Sequence, residues 1–108
     1  MELRDCDKGV LNDVDLLRDA LLATAREAGA TVVAESFHRF DPQGVSGVVI
    51  IAESPYFIHT WTEYGYAAAD IFTCGDSVSP RKAAELLIGK LRSKNQSMIE
   101  IERGIVSP

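Results

Sequence analysis

Val45-Ser46-Gly47-Val48-Val49-Ile50-Ile51-Ala52-Glu53-Ser54-Pro55-Tyr56-Phe57-Ile58-His59-Thr60-Trp61 is the stretch on which the fold turns. Residues 45–52 are nearly all apolar and rich in β-branched side chains, the composition of a central strand. Residues 56–61 alternate around His59, as a strand with one face on the core does. Only Glu53, Ser54 and Pro55 stand between them. Strands joined so tightly run antiparallel, because a parallel return needs a crossover of about a dozen residues. Pro55 lacks an N–H and is expected to bend or end the strand there.

Working outward, Thr31 to Ser36 reads as a strand and Asp41-Pro42-Gln43-Gly44 as a turn. Tyr64-Gly65-Tyr66 is a bend, and Ala67 to Thr73 a further strand. Residues 13–28 carry Leu17, Leu21, Ala25 and Ala28 at helical spacing, with Asn12 or Asp13 to cap the start and Gly29 to close the end. A second helix opens with Ser79 as N-cap and Pro80 behind it and runs to about Arg92, burying Leu86, Leu87, Ile88 and Leu91. Ser97 to Glu102 alternates Met98, Ile99 and Ile101 with polar residues and suggests a last strand. The order predicts an α+β two-layer sandwich: a mainly antiparallel sheet with two helices on one face, in one domain over residues 1–108. The other sheet face would be partly apolar, which argues for a dimer that buries it.

Size and charge narrow the function. A chain of 108 residues, 46% hydrophobic, builds one ordinary core. It has little room for a deep enclosed pocket, so a small-molecule site falls at a sheet edge or between subunits. The net charge is −5 with no basic stripe, which speaks against a nucleic-acid partner. No apolar run approaches the ~20 residues of a membrane span. Met1-Glu2-Leu3-Arg4-Asp5-Cys6-Asp7 is too acidic for a signal peptide, so a cytoplasmic location is expected. Cys6 and Cys74 are then free thiols.

Several reactive side chains crowd the central stretch. Ser54, at a strand end, is a turn serine or a nucleophile toward its own preceding peptide bond. His59 is a hydrogen-bonded structural residue or an acid–base group. It stands five positions from Ser54, which on a straight strand means the opposite face. Cys74 is a small buried thiol or a proton donor to carbon. Phe40, Trp61 and Tyr64 are the nearby aromatics, and Trp61 lies among polar neighbours, where stacking is credible. Glu63 is a solvated turn carboxylate or an acceptor for a ribose diol. Cys6, His38 and Cys74 show no metal-ligand spacing, and Gly44, Gly47 and Gly65 form no phosphate loop.

Ser36-Phe37-His38-Arg39-Phe40, Pro42, Gly44-Val45-Ser46-Gly47-Val48-Val49, Ala52-Glu53-Ser54, Ile58-His59-Thr60-Trp61, Glu63-Tyr64-Gly65-Tyr66-Ala67-Ala68, Asp70, Phe72-Thr73-Cys74-Gly75 and Glu102-Arg103-Gly104 follow one another in order. Together they resemble the class 1 prokaryotic S-adenosylmethionine decarboxylase proenzymes over nearly the whole chain. The resemblance implies cleavage between Glu53 and Ser54 into 1–53 and 54–108, with Ser54 becoming a pyruvoyl group. It matches Ser46 and His59 to residues that assist processing, and Cys74 to the acid that protonates the substrate carbon. It matches Phe40 and Trp61 to residues that hold adenine, and Glu63 to the ribose ligand. It implies S-adenosylmethionine as substrate, a product that feeds spermidine synthesis, and a homodimer forming a four-layer αββα sandwich with sites at the interface. Pro55 replaces the histidine usual after the cleavage serine, and Thr62 replaces a usual proline. The family's first strand is matched only at its end, by Met1-Glu2-Leu3. The alternatives are a pyruvoyl decarboxylase of arginine or ornithine, and a non-catalytic regulatory paralogue.

Overall fold

The computed structural model describes residues 1–52, 54–72 and 79–101. Its elements are β1 (Glu2–Arg4), α1 (Lys8–Leu11), α2 (Val14–Glu27), β2 (Val32–Arg39), β3 (Val45–Ile51), β4 (Ser54–Trp61), a 3-10 turn (Thr62–Tyr64), β5 (Tyr66–Ile71), α3 (Pro80–Lys90) and β6 (Asn95–Ser97). The strands form one six-stranded sheet in the order β2-β3-β4-β5-β1-β6, every pairing antiparallel. The α+β sandwich expected from the sequence is what is found. The three-residue β1 is interior, paired to β5 and to β6.

The helix ends follow their caps. Asp13 accepts from the Leu16 amide at the start of α2, and Gly29 takes a positive φ of 96° just past its end. Ser79 accepts from the Lys82 amide, with proline at the start of α3. α1 has no counterpart in the sequence reading. Its single turn, capped by Asp7, is too short for a periodic apolar signal to develop. The last strand is displaced. Asn95–Ser97 pairs with β1, whereas residues 98–101 lie outside any strand, with Ile99 79% and Ile101 77% exposed. Alternation alone does not make a strand where no neighbour offers a ladder.

Strand alternation divides the sheet into two faces. Val45, Val49, Ile51, Tyr56, Ile58, Ala67 and Ala69 point under the helices and join Leu17, Leu21, Leu87 and Leu91 in one core. Thr60 fastens α1 to that layer. Its buried hydroxyl donates to the Leu11 carbonyl (2.8 Å) and accepts from the Val45 amide (2.9 Å). Thr60→Val keeps the shape but strands two buried backbone groups. It should cost about 2–4 kcal/mol, read from urea unfolding. An unchanged midpoint would show that water replaces both bonds.

Candidate functional site

The candidate site lies on the face of the sheet turned away from the helices. On β4 the residues at 54, 56, 58 and 60 are buried, while those at 55, 57, 59 and 61 are half-buried or exposed. His59 and Trp61 therefore share the open face, and β3 adds Ser46 to it. Register aligns them further. Ser46 stands opposite His38 of β2 on one side and opposite His59 of β4 on the other. A hydroxyl thus sits between two imidazoles in one row across three strands.

Aromatic rings border this row. Phe40 follows the end of β2, its amide bonded to the Gly44 carbonyl (2.8 Å). Its ring centroid is 4.7 Å from His38, edge-on at 75°, and 5.6 Å from His59. His59 lies 4.3 Å from Trp61, and Trp61 5.3 Å from Tyr66. The Tyr66 hydroxyl donates to Glu2 (2.7 Å), and that bond raises the phenol above its ordinary pKa. Ser36, His38, Phe40, Ser46 and Phe57 help line an open depression of about 360 Å³. So four residues singled out in the sequence, Phe40, Ser46, His59 and Trp61, come together.

Glu63 sits at the edge of this face, in the 3-10 turn that follows Trp61. Its exposed carboxylate accepts from Gln43 Nε2 (2.8 Å), tying the turn to the β2–β3 loop. The turn closes at Gly65, whose φ of 61° is left-handed and where a β-carbon would sit 3.3 Å from the Cys6 carbonyl oxygen, a tight contact. Tyr64 points to solvent and adds no surface to the aromatic row. Cys6 is a free, buried thiol; burial pushes its pKa up, which suits a packing role and not a reactive one.

Ser54 lies elsewhere. It is 8% exposed, shares the helix-side parity of Tyr56, and its hydroxyl has no hydrogen-bond partner among the described residues. Tyr56, two residues on, is fully buried with its hydroxyl unpartnered among the described residues, and burial raises its pKa. Pro55 neither bends nor ends the strand. It stands opposite Ile50 inside β4, and its carbonyl accepts from the Phe72 amide (3.2 Å). One residue from the strand start, its missing N–H costs an end of the ladder and not the middle. The parity argument therefore holds: Ser54 and His59 are on opposite faces. Five residues of extended chain also separate them by about 16 Å. Glu53 and Cys74 fall outside the described residues. His38 is the residue that sequence reasoning passed over. Its only signal was the strand register, which needs the pairing to be known.

Comparison with known proteins gives the family. A family model described as S-adenosylmethionine decarboxylase matches residues 1–104. The S-adenosylmethionine decarboxylase proenzyme of Thermotoga maritima is 52% identical over 103 residues, which cover 95% of this chain and 79% of that protein. The proenzyme of Thermodesulfovibrio yellowstonii is 45% identical over 107 residues, covering 99% and 79%. Among solved structures, the adenosylmethionine decarboxylase of Aquifex aeolicus superposes with a TM-score of 0.81 at 30% identity, over 96% of this chain and 92% of that one. With a six-stranded sheet that superposes on a member's and a sequence matched almost end to end, the chain belongs to the S-adenosylmethionine decarboxylase family of enzymes.

Proposed function

We propose that this chain decarboxylates S-adenosylmethionine, using a pyruvoyl group made from its own Ser54, and so yields the aminopropyl donor of spermidine synthesis. The observation that carries the reading is the gathering of Ser46, His59, Phe40 and Trp61 on one sheet face, in a chain matched to the family over residues 1–104. Ser54 fits the part. A buried hydroxyl with no hydrogen-bond partner among the described residues has no bond to them to give up before it attacks.

The self-processing chemistry is as follows. The Ser54 hydroxyl adds to the Glu53 carbonyl, and the peptide C–N bond breaks, leaving an ester and a free amine on Ser54. Loss of the Ser54 α-proton expels the Glu53 carboxylate and leaves dehydroalanine. Water then releases the nitrogen as ammonia and leaves the ketone. When formed, the pyruvoyl group supplies an electron sink for the carbanion that remains as carbon dioxide departs. The other roles belong to side chains. His59, steadied by Ser46, takes the proton that opens the ester. Phe40 and Trp61 flank His59 and offer stacking faces to adenine and its sulfonium neighbour. Glu63 accepts from the ribose hydroxyls, and Cys74 delivers the proton to carbon.

The separation of Ser54 and His59 favours a site completed by a second copy of the chain. A two-fold axis through the open face would bring the His59 end of one β4 over the Ser54 end of the other, and the Ser54 side chain would turn out from the helix side to meet it. The apolar surface of Ile50, Phe57 and Trp61 on that face would be buried by the same contact. Coexpression of Ser54→Ala with His59→Ala tests it. If His59 acts across the interface, the His59→Ala chains will split when paired with Ser54→Ala partners. If it acts within one chain, they will stay as slow as they are alone.

Carbon dioxide release from carboxyl-labelled S-adenosylmethionine tests the activity. Cys74→Ala should still cleave but turn over about 100-fold more slowly, the lower range of general acid catalysis. His59→Ala should show the reverse emphasis, with slow cleavage as its main defect. Undiminished turnover in Cys74→Ala would remove that residue from the mechanism.

A further inference from the structure

His38 is exposed and makes no ion pair with any described residue. Its position is specific. It stands directly opposite Ser46, which stands directly opposite His59. Opposed side chains on neighbouring antiparallel strands have Cβ atoms about 4.5–5.5 Å apart, a gap that one imidazole–hydroxyl hydrogen bond spans. A serine hydroxyl carries one donor and two acceptor lone pairs, so it can take a bond from one imidazole and offer its proton toward the other. Phe40 supplies an independent observation. Its ring touches both imidazoles, edge-on to His38 at 4.7 Å and tilted at 5.6 Å from His59. One aromatic side chain thus limits the swing of both histidines.

We propose that His38 is a positioning residue for self-processing: by donating an N–H to Ser46 Oγ, it turns the Ser46 O–H toward His59. The inference rests on the processing reading above, and it adds a third strand to the machinery. β2 then contributes more than a sheet edge, because its register decides whether an imidazole stands behind Ser46. A one-residue slip of β2 against β3 would put Phe37 or Arg39 opposite Ser46 and turn His38 onto the helix face.

The test follows the rate of chain cleavage in freshly refolded protein by intact mass, for the unaltered chain, His38→Ala and His38→Gln. His38→Ala should cleave about tenfold more slowly, the factor one ordinary hydrogen bond corresponds to, with an unchanged thermal midpoint because His38 is exposed. His38→Gln keeps a donor and should retain most of the rate, and added imidazole should partly restore His38→Ala. Cleavage of His38→Ala at the unaltered rate overturns the proposal. So does an equal loss in both variants with no response to imidazole, which would mark a packing role only. An unaltered chain that never splits would overturn the processing reading itself and this inference with it.

Discussion

Ser54→Ala should persist as one polypeptide of 108 residues while the unaltered chain resolves into 1–53 and 54–108. This is the largest effect expected of any single substitution, because it deletes the nucleophile and leaves no slower route through the same bond. The fold gives the experiment a clean control. Ser54 is 8% exposed and its hydroxyl binds none of the described residues. Alanine therefore removes an uncompensated polar atom and little packing, and the variant should be at least as stable as the parent. Failure to cleave will then reflect lost chemistry and not lost structure. Denaturing mass spectrometry reads both states, and the second fragment should resist N-terminal sequencing because a ketone replaces its amine. A parent chain that stays whole through prolonged incubation would count against the pyruvoyl reading, as would a Ser54→Ala chain that splits at the same bond.

Trp61→Ala and Glu63→Gln should both lose substrate binding heavily. Trp61 is 38% exposed on the open face, with His59 packed at 4.3 Å on one side and Tyr66 at 5.3 Å on the other. Its neighbours hold the ring in place, so little ordering entropy remains to be lost when a base stacks. Stacking of a base on an aromatic side chain contributes about 1–3 kcal/mol, so KM should rise about 5–150-fold in Trp61→Ala. Glu63→Gln exchanges a charged acceptor, now bonded to Gln43, for a neutral one. A charge-assisted bond is about 1.5–3 kcal/mol strong, and KM should rise roughly tenfold or more. Both variants must be measured on the cleaved fraction, since Trp61 also supports His59. The same two variants distinguish substrates. Arginine and ornithine have no adenine or ribose, so carbon dioxide released from those amino acids, unaffected by either change, would displace S-adenosylmethionine and leave the pyruvoyl mechanism standing.

Much of the architecture was legible in the chain. The capped helices over residues 14–27 and 80–90 announce themselves by periodicity and by Asp13, Ser79 and Pro80. The hairpin of β3 and β4 does so by β-branched composition and a connection too short for a crossover. These are local signals, carried by residues close in sequence. What failed was equally local reasoning where a neighbour decides. Residues 98–101 alternate like a strand but pair with no described strand, and Pro55 was expected to break a strand that β3 and β5 hold straight.

The sequence by itself determined which chemistry the chain carries: Ser54 after an acidic residue, His59, Cys74, the aromatics and Glu63, in blocks ordered as in one enzyme family. On a straight strand, alternation would put His59 and Ser54 on opposite faces, but Pro55 was expected to break that strand, and only the pairing of Pro55 with Ile50 shows it straight. Only the tertiary structure decided which of these groups meet. Ser46 and His59 are 13 positions apart in the chain yet directly opposed in the sheet, and His38 joins them from a third strand. Cross-strand register depends on turn geometry and on which face the core claims, and neither is written in the spacing of reactive residues. For the same reason Ser54 and His59, five positions apart, are kept far apart by the straight strand that joins them.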